Sequence, residues 1–313
     1  MQKLDLKGIT VAVVLPFDDE LQIDWDSYKR VLDYCAVPDA ITAVFVNGHA
    51  GEGALLSDDE RQAVIERTRK HVGKPLLAGI IADSTAEAVD QVVLARQAGA
   101  DCAVLFPPAS LGGGASASSR APVSYVRSIA EATDFPLSVF QYPIVSGMGF
   151  STEALTQIAA IPQVVALKEG SGLVEAYDDN WRAVKKANPD LAFLPSNYNW
   201  FLPQLAIGAD GILSGLISLV PHLFARLWDA AASSDLAAMR KVNDELHPIV
   251  RAIYGKDPLI DMHTRIKVGL KALNIIANDR PRPPLMPIEP EIGERIVQVV
   301  SEARTAGSIL LKD

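Results

Sequence analysis

The chain has only two cysteines, Cys35 and Cys102, in 313 residues, too few for a disulfide framework and without zinc-ligand spacing. Each sits in an apolar or helical pattern, so both are expected to be packed core thiols in a reducing compartment, the cytoplasm. Basic residues are also scarce. The 29 Lys and Arg against 38 Asp and Glu leave a net charge of −9, and no basic run tracks a phosphate backbone, which argues against a nucleic-acid partner. Long apolar runs are missing: the stretch from Gly211 stops at Pro221 and His222, short of the roughly 20 residues that span a bilayer. The run Ile9 to Phe17 imitates a signal peptide, but Asp5 precedes it and Pro16-Phe17-Asp18-Asp19-Glu20 replaces a small-residue cleavage site. It reads as a first buried strand, and no membrane association is expected. Nucleotide-binding signatures are lacking too, since Gly48-His49-Ala50-Gly51-Glu52-Gly53 has the wrong spacing for G-x-G-x-x-G and the next helix starts only at Ser57. With no His-Glu-x-x-His either, neither metal nor organic cofactor is expected.

What is present is a core. Apolar residues make up 49% and charged residues 21%, near the average for globular chains, so disorder is excluded. Eight short runs are apolar at nearly every position, as strands covered on both faces must be: Thr10–Leu15, Ala43–Asn47, Leu76–Ile81, Cys102–Phe106, Leu137–Gln141, Val164–Lys168, Ala192–Leu194 and Gly211–Ser214. Helical segments alternate with them. Ser57-Asp58-Asp59-Glu60 and Ser84-Thr85-Ala86-Glu87 match the capping box. Eight such units favour a (β/α)8 TIM barrel over an open doubly wound sheet. After Ser233 the strands stop, and helices are expected near Asp235–Ile253, Met262–Asn274 and Pro290–Ala306. The organisation expected is a barrel over residues 1–233 and a C-terminal helical extension over 234–313, with Ala109–Ala121 as a mobile loop.

Reactive groups of such a barrel lie at the C-terminal ends of the strands. There Val164-Val165-Ala166-Leu167 ends in Lys168, whose amine would enter the barrel mouth. Desolvation lowers a lysine pKa, the condition for Schiff-base formation with a carbonyl, although many strand-end lysines are merely solvated. His49, just past the second strand, is a general acid or base by type. Phe140 and Tyr142 are two apart at the end of the fifth strand, hence on one face. Glu52 and Glu169 suit backbone orientation as well as proton transfer. His71, His222, His247 and His263 fall on helices or their ends, where surface or capping roles are the default.

In order along nearly the whole chain, Val14-Leu15-Pro16-Phe17, Gly48-His49-Ala50-Gly51-Glu52, Ala78-Gly79 with Ser84-Thr85, Ala98-Gly99-Ala100-Asp101, Lys168-Glu169-Gly170-Ser171-Gly172 and Leu205-Ala206-Ile207-Gly208-Ala209-Asp210-Gly211 resemble the dihydrodipicolinate synthase and N-acetylneuraminate lyase family of class I aldolases. The resemblance implies a (β/α)8 barrel, a homotetramer, and Lys168 as the amine that forms a Schiff base with pyruvate or another 2-oxo acid, the carboxylate held by amides around His49 and Ala50. Gly48, Ala50, Phe140 and Leu213 become the expected substrate-binding residues. The departures matter as much. The family's tyrosine at the end of the fifth strand is Phe140 here, its threonine pair is His49 and Ala50, and the tyrosine pair after the fourth strand is Pro108 and Ala109. Its aldehyde-gripping arginine is Val145, so the chain is expected not to make dihydrodipicolinate. His49 or Tyr142 is expected to replace the lost phenol in proton transfer, in an aldolase, with a deoxy-sugar acid dehydratase and a non-catalytic keto-acid-binding barrel as alternatives.

Overall fold

The computed structural model describes residues 4–196 and 201–311. Eight parallel strands, β1 (Gly8–Ala12), β2 (Ile41–Val46), β3 (Leu76–Ile80), β4 (Cys102–Leu105), β5 (Leu137–Gln141), β6 (Val164–Glu169), β7 (Ala192–Pro195) and β8 (Gly211–Ser214), lie in the order β7-β6-β5-β4-β3-β2-β1-β8. With β7 and β8 side by side, the sheet curls into a nearly closed (β/α)8 barrel. The helices that alternate with the strands are α1 (Trp25–Cys35), α2 (Asp58–His71), α3 (Thr85–Gln97), α4 (Arg120–Thr133), α5 (Thr152–Ala159), α6 (Val174–Ala187), α7 (Phe201–Ile207) and α8 (Pro221–Ala232). They cover the outer face of the sheet while side chains fill its interior, so the strand residues are apolar almost without alternation. Three further helices follow: α9 (Leu236–Tyr254), α10 (Met262–Ala272) and α11 (Pro290–Thr305). Among the described residues no helix is long and apolar enough to cross a membrane.

Local chemistry fixes the joints. At the β1/β8 seam a Cβ on Gly211 would lie 2.0 Å from the Gly8 carbonyl oxygen, so only a glycine lets these backbones approach. The capping box forms at Ser57, with Glu60 answering the Ser57 backbone N–H. At Ser84 only half of it forms: the hydroxyl accepts from the Glu87 N–H, while the Glu87 carboxylate accepts from the Asp83 N–H.

The first strand departs from the sequence expectation of Thr10–Leu15. The ladder ends at Ala12, after which Val13 still donates to the Phe45 carbonyl at 3.0 Å and the chain runs on, buried, to Phe17. An apolar run reports burial rather than membership of a hydrogen-bonded ladder, and these residues are buried under the barrel mouth. The segment expected as a mobile loop contains a 3-10 turn, Ala109–Leu111, and a buried Ala115.

Candidate active site

The register pairs Phe140 of β5 with Lys168 of β6, and Lys168 with Leu194 of β7. Lys168 is thus delivered by two fixed neighbours into the C-terminal mouth of the barrel. Its Nζ lies 3.7 Å from the centre of the Phe140 ring, 5.4 Å from that of Phe45 and 6.0 Å from that of Phe106. Among the described residues no carboxylate forms an ion pair with it, and only 7% of the residue is exposed. Burial disfavours the ammonium form and pushes its pKa down to about 7. Glu169, the next residue, faces away by strand alternation. Its carboxylate accepts from the Ser171 N–H and from Asn180 of α6, both at 3.2 Å, bracing the turn that follows Lys168.

His49 and Tyr142, separate candidates in the sequence, meet in space. The Tyr142 hydroxyl and His49 Nε2 are 2.8 Å apart. The His49 ring is exposed at the cavity, edge-on to Phe106 at 4.9 Å between centroids. Desolvation, reinforced by the neighbouring Lys168 ammonium, holds its pKa well below the ordinary imidazole value. Burial moves the Tyr142 phenol the other way, above its ordinary value. Both groups are therefore neutral near pH 7, so the contact is a neutral hydrogen bond whose direction follows the His49 tautomer, and the pair can pass a proton either way. Phe140 and Tyr142 do share a face, with ring centroids 4.7 Å apart.

The loop that carries His49 is wound tightly. Asn47 and Glu52 adopt left-handed backbone conformations at φ 56° and 51°. A Cβ on Gly79 would sit 2.2 Å from the Asn47 carbonyl oxygen, so a neighbouring strand must offer glycine to admit the loop. Gly48 is buried here, its carbonyl accepting from the Gly53 N–H at 3.0 Å, and it does not line the cavity. The Glu52 side chain reaches Lys267 of α10 in a fully buried ion pair and accepts from the Arg282 N–H at 2.9 Å. Glu52 thereby ties the His49 loop to the C-terminal extension.

That extension reaches the site itself. His263, expected in a surface or capping role, lines the cavity at the start of α10, its ring centroid 6.4 Å from that of His49. No sequence signal distinguishes it from the other helical histidines, because the packing of α10 across the barrel mouth brings it in. Desolvation and the positive potential of Lys168 and Lys267 hold its pKa well below the ordinary value. Arg265, fully buried, donates to the carbonyls of Ile253, Lys256 and Pro258 at 2.7 to 3.1 Å, fixing the segment that carries Leu259, Ile260 and Met262 to the rim. The other histidines lie elsewhere: His71 meets Asp33 at 2.7 Å on the flank of the barrel.

Together these groups enclose a cavity of about 470 Å³. Lys168, His49, Ala50, Phe140, Tyr142, Leu213 and His263 line it. Ala50 and His49 make no backbone hydrogen bond through their N–H groups within the described residues. Residues 197–200 follow the cavity-lining Ser196 and lie outside the described residues. Among the described residues no group of three or more His, Cys, Asp or Glu side chains is arranged to hold a metal ion.

Known proteins resemble this chain along most of its length. The model of the dihydrodipicolinate synthetase family matches residues 5–303. A 4-hydroxy-tetrahydrodipicolinate synthase of Methanococcoides burtonii is 28% identical over 298 residues, 95% of this chain and 98% of the relative. One of Neisseria gonorrhoeae is 30% identical over 251 residues, 80% of this chain and 84% of the relative. The solved structure of dihydrodipicolinate synthase from Thermotoga maritima superposes with a TM-score of 0.87 at 24% identity, covering 95% of this chain and 98% of that one.

Proposed function

The chain belongs to the dihydrodipicolinate synthetase family, whose members are lyases of the class I aldolase type, and from that premise we propose that it joins or cleaves carbon–carbon bonds of pyruvate or another 2-oxo acid through a Schiff base on Lys168. The observation that carries this reading is a buried lysine without a carboxylate partner among the described residues, its pKa near 7, opening into a cavity of substrate size.

The free amine of Lys168 attacks the keto carbon and water leaves, giving an imine whose protonated nitrogen withdraws electrons from the adjacent carbon. Loss of a proton there forms the enamine, the carbon nucleophile of the aldol step. The N–H groups of His49 and Ala50, which make no backbone hydrogen bond among the described residues, are suited to the substrate carboxylate, with Gly48 shaping the loop behind them and Leu213 and Phe140 as apolar walls. Proton traffic falls to the His49–Tyr142 pair: Nε2, through the phenol, can take up the proton lost in enamine formation, and the phenol can return it to a developing alkoxide. This pair supports turnover over mere keto-acid binding. The position of the family's arginine is held by Val145, and no basic side chain other than Lys168 and the imidazoles of His49 and His263 lines the cavity among the described residues, which supports a product other than dihydrodipicolinate. We further propose a homotetramer in the cytoplasm, consistent with two free and buried thiols. Light scattering tests the assembly, and a monomeric mass would reject it.

Borohydride in the presence of pyruvate tests the chemistry. One reduced adduct per chain, on the peptide that contains Lys168, is expected. Labelling elsewhere, or none with any 2-oxo acid, would overturn the assignment.

A further inference from the structure

Outward from Lys168 the cavity changes character. Val145 and Met148, from the segment after β5, face Tyr254, Leu259, Ile260 and Met262 of the C-terminal extension. Val145 is 91% exposed and Ile260 61%, so two separate segments converge on one cavity with large aliphatic side chains left open to solvent. Contiguous apolar surface of this kind marks a place that something covers, and here the surface is continuous with the space above a reactive amine.

The three serine hydroxyls along this wall each hold a backbone partner. The Ser146 hydroxyl donates to the Pro143 carbonyl at 2.6 Å and accepts from the Met148 N–H at 3.2 Å. The Ser196 hydroxyl donates to the Glu169 carbonyl at 3.1 Å, and that of Ser214 accepts from the Leu216 N–H at 3.2 Å. Lys168 is the one charged lining residue among the described ones, and residues 197–200 contain no basic side chain. A second carboxylate would lose its water here without gaining a cation, and the hydroxyls of a sugar chain would lose water against a wall built mostly of Val145, Leu259, Ile260 and Met262. A flat ring fits better, because the rings of Tyr142 and Tyr254 and the sulfurs of Met148 and Met262 line the same space.

We propose that the second substrate is an uncharged aromatic aldehyde, whose carbonyl carbon meets the enamine on Lys168 and whose ring covers the wall formed by Val145, Ile260 and Met262. This rests on the Schiff-base reading given above. The methyl-derived carbon of the enamine forms a bond to the aldehyde carbon, the aldehyde oxygen takes from Tyr142 the proton that the Tyr142–His49 pair took up when the enamine formed, and water hydrolyses the resulting imine. The water released on imine formation is thereby consumed again, and one pyruvate and one aldehyde give one 4-hydroxy-2-oxo acid.

The experiment has two arms on the full-length protein. Borohydride trapping with pyruvate comes first, and failure there overturns the underlying chemistry rather than the substrate class. Condensation of pyruvate with benzaldehyde, succinic semialdehyde or glyceraldehyde is then followed by mass spectrometry. Benzaldehyde is expected to exceed the other two in kcat/KM by about tenfold or more. Val145→Arg is expected to lower that ratio by about tenfold and to favour succinic semialdehyde. Trapping without any benzaldehyde product, equal or better turnover of the acidic or hydroxylated aldehyde, or an unchanged ratio in Val145→Arg would each overturn the proposal.

Discussion

Among the described residues two lysines are buried, and their surroundings differ sharply. Lys168, 7% exposed, faces three aromatic rings and a cavity. Lys267, 0% exposed, faces one aromatic ring at 4.4 Å but also holds Glu52 and donates to the Arg280 carbonyl at 3.2 Å. Burial pushes both pKa values down, yet at Lys267 the carboxylate of Glu52 opposes the shift. Burial alone therefore does not make a nucleophile. Among the described residues Lys168 has no carboxylate partner, which suits it to the role proposed above, and the partner that Lys267 has turns the same side chain into a fastener between the His49 loop and α10.

The sharpest way to break this comparison is to remove each amine. Lys168→Ala is expected to abolish borohydride trapping and to lower turnover by on the order of 10⁴ or more, with a cooperative unfolding transition retained, as activity and circular dichroism would show. Substantial trapping in that variant would end the contrast. Lys267→Met is expected to act through stability instead, costing about 3 to 5 kcal/mol because it leaves the Glu52 carboxylate buried with only the Arg282 N–H as partner. Adding Glu52→Gln should return part of that loss in denaturant unfolding, whereas additive losses would mean that the pair is not the fastener.

The His49–Tyr142 pair sharpens the contrast on the reactive side. His49→Gln or Tyr142→Phe is expected to lower turnover by about 10² to 10⁴ while trapping at Lys168 persists. Because the two groups form one hydrogen-bonded unit, the double variant should lose little more than either single one. Full additivity would show two independent roles. Phe140→Tyr is expected to lower activity, since its ring lies under the Lys168 amine at 3.7 Å and serves as apolar wall.

A smaller effect concerns pH. The rate of imine formation should rise as pH approaches 7 and level above it, because the free amine is the attacking species, and no inflection from His49 near its ordinary value should appear. The stability sign follows from the same shift. Between about 7 and the ordinary lysine value of 10.5 the unfolded chain binds one more proton at this site than the folded chain. Stability from this site therefore rises with pH across that window. Lys168→Met should accordingly raise Tm most at or below pH 7, the gain shrinking toward pH 10.5. A pH-independent gain would argue against a depressed pKa. Smallest of all, dialysis against a chelator is expected to leave turnover unchanged, since the imine is its own electron sink, and restoration by a divalent ion would contradict this.

Much of this was legible in one dimension. Continuous apolar runs marked the eight strands because both faces of a barrel sheet are covered, and a lysine ending such a run marked the buried amine of the cavity. Capping boxes were half legible: Ser57 and Glu60 answer each other, whereas Glu87 finds the Asp83 N–H nearer. The residues of the His49 loop announced a departure from the family, but their pairing with Tyr142 bridges 93 positions and has no local signature.

By itself the sequence determined the barrel, the place of Lys168 at the end of β6 and the apolar ring of Phe140 at the end of β5, because strand periodicity and residue identity are local properties. Only the tertiary structure decided which groups share the mouth with that amine. The entry of His263 from α10, the ion pair of Glu52 with Lys267 across 215 positions and the apolar rim built from residues 145 and 260 all depend on how the extension packs over the barrel. That packing maximises burial of surface from elements distant in the chain, and the environment it creates, low in dielectric and short of carboxylates, sets the pKa values on which the chemistry rests.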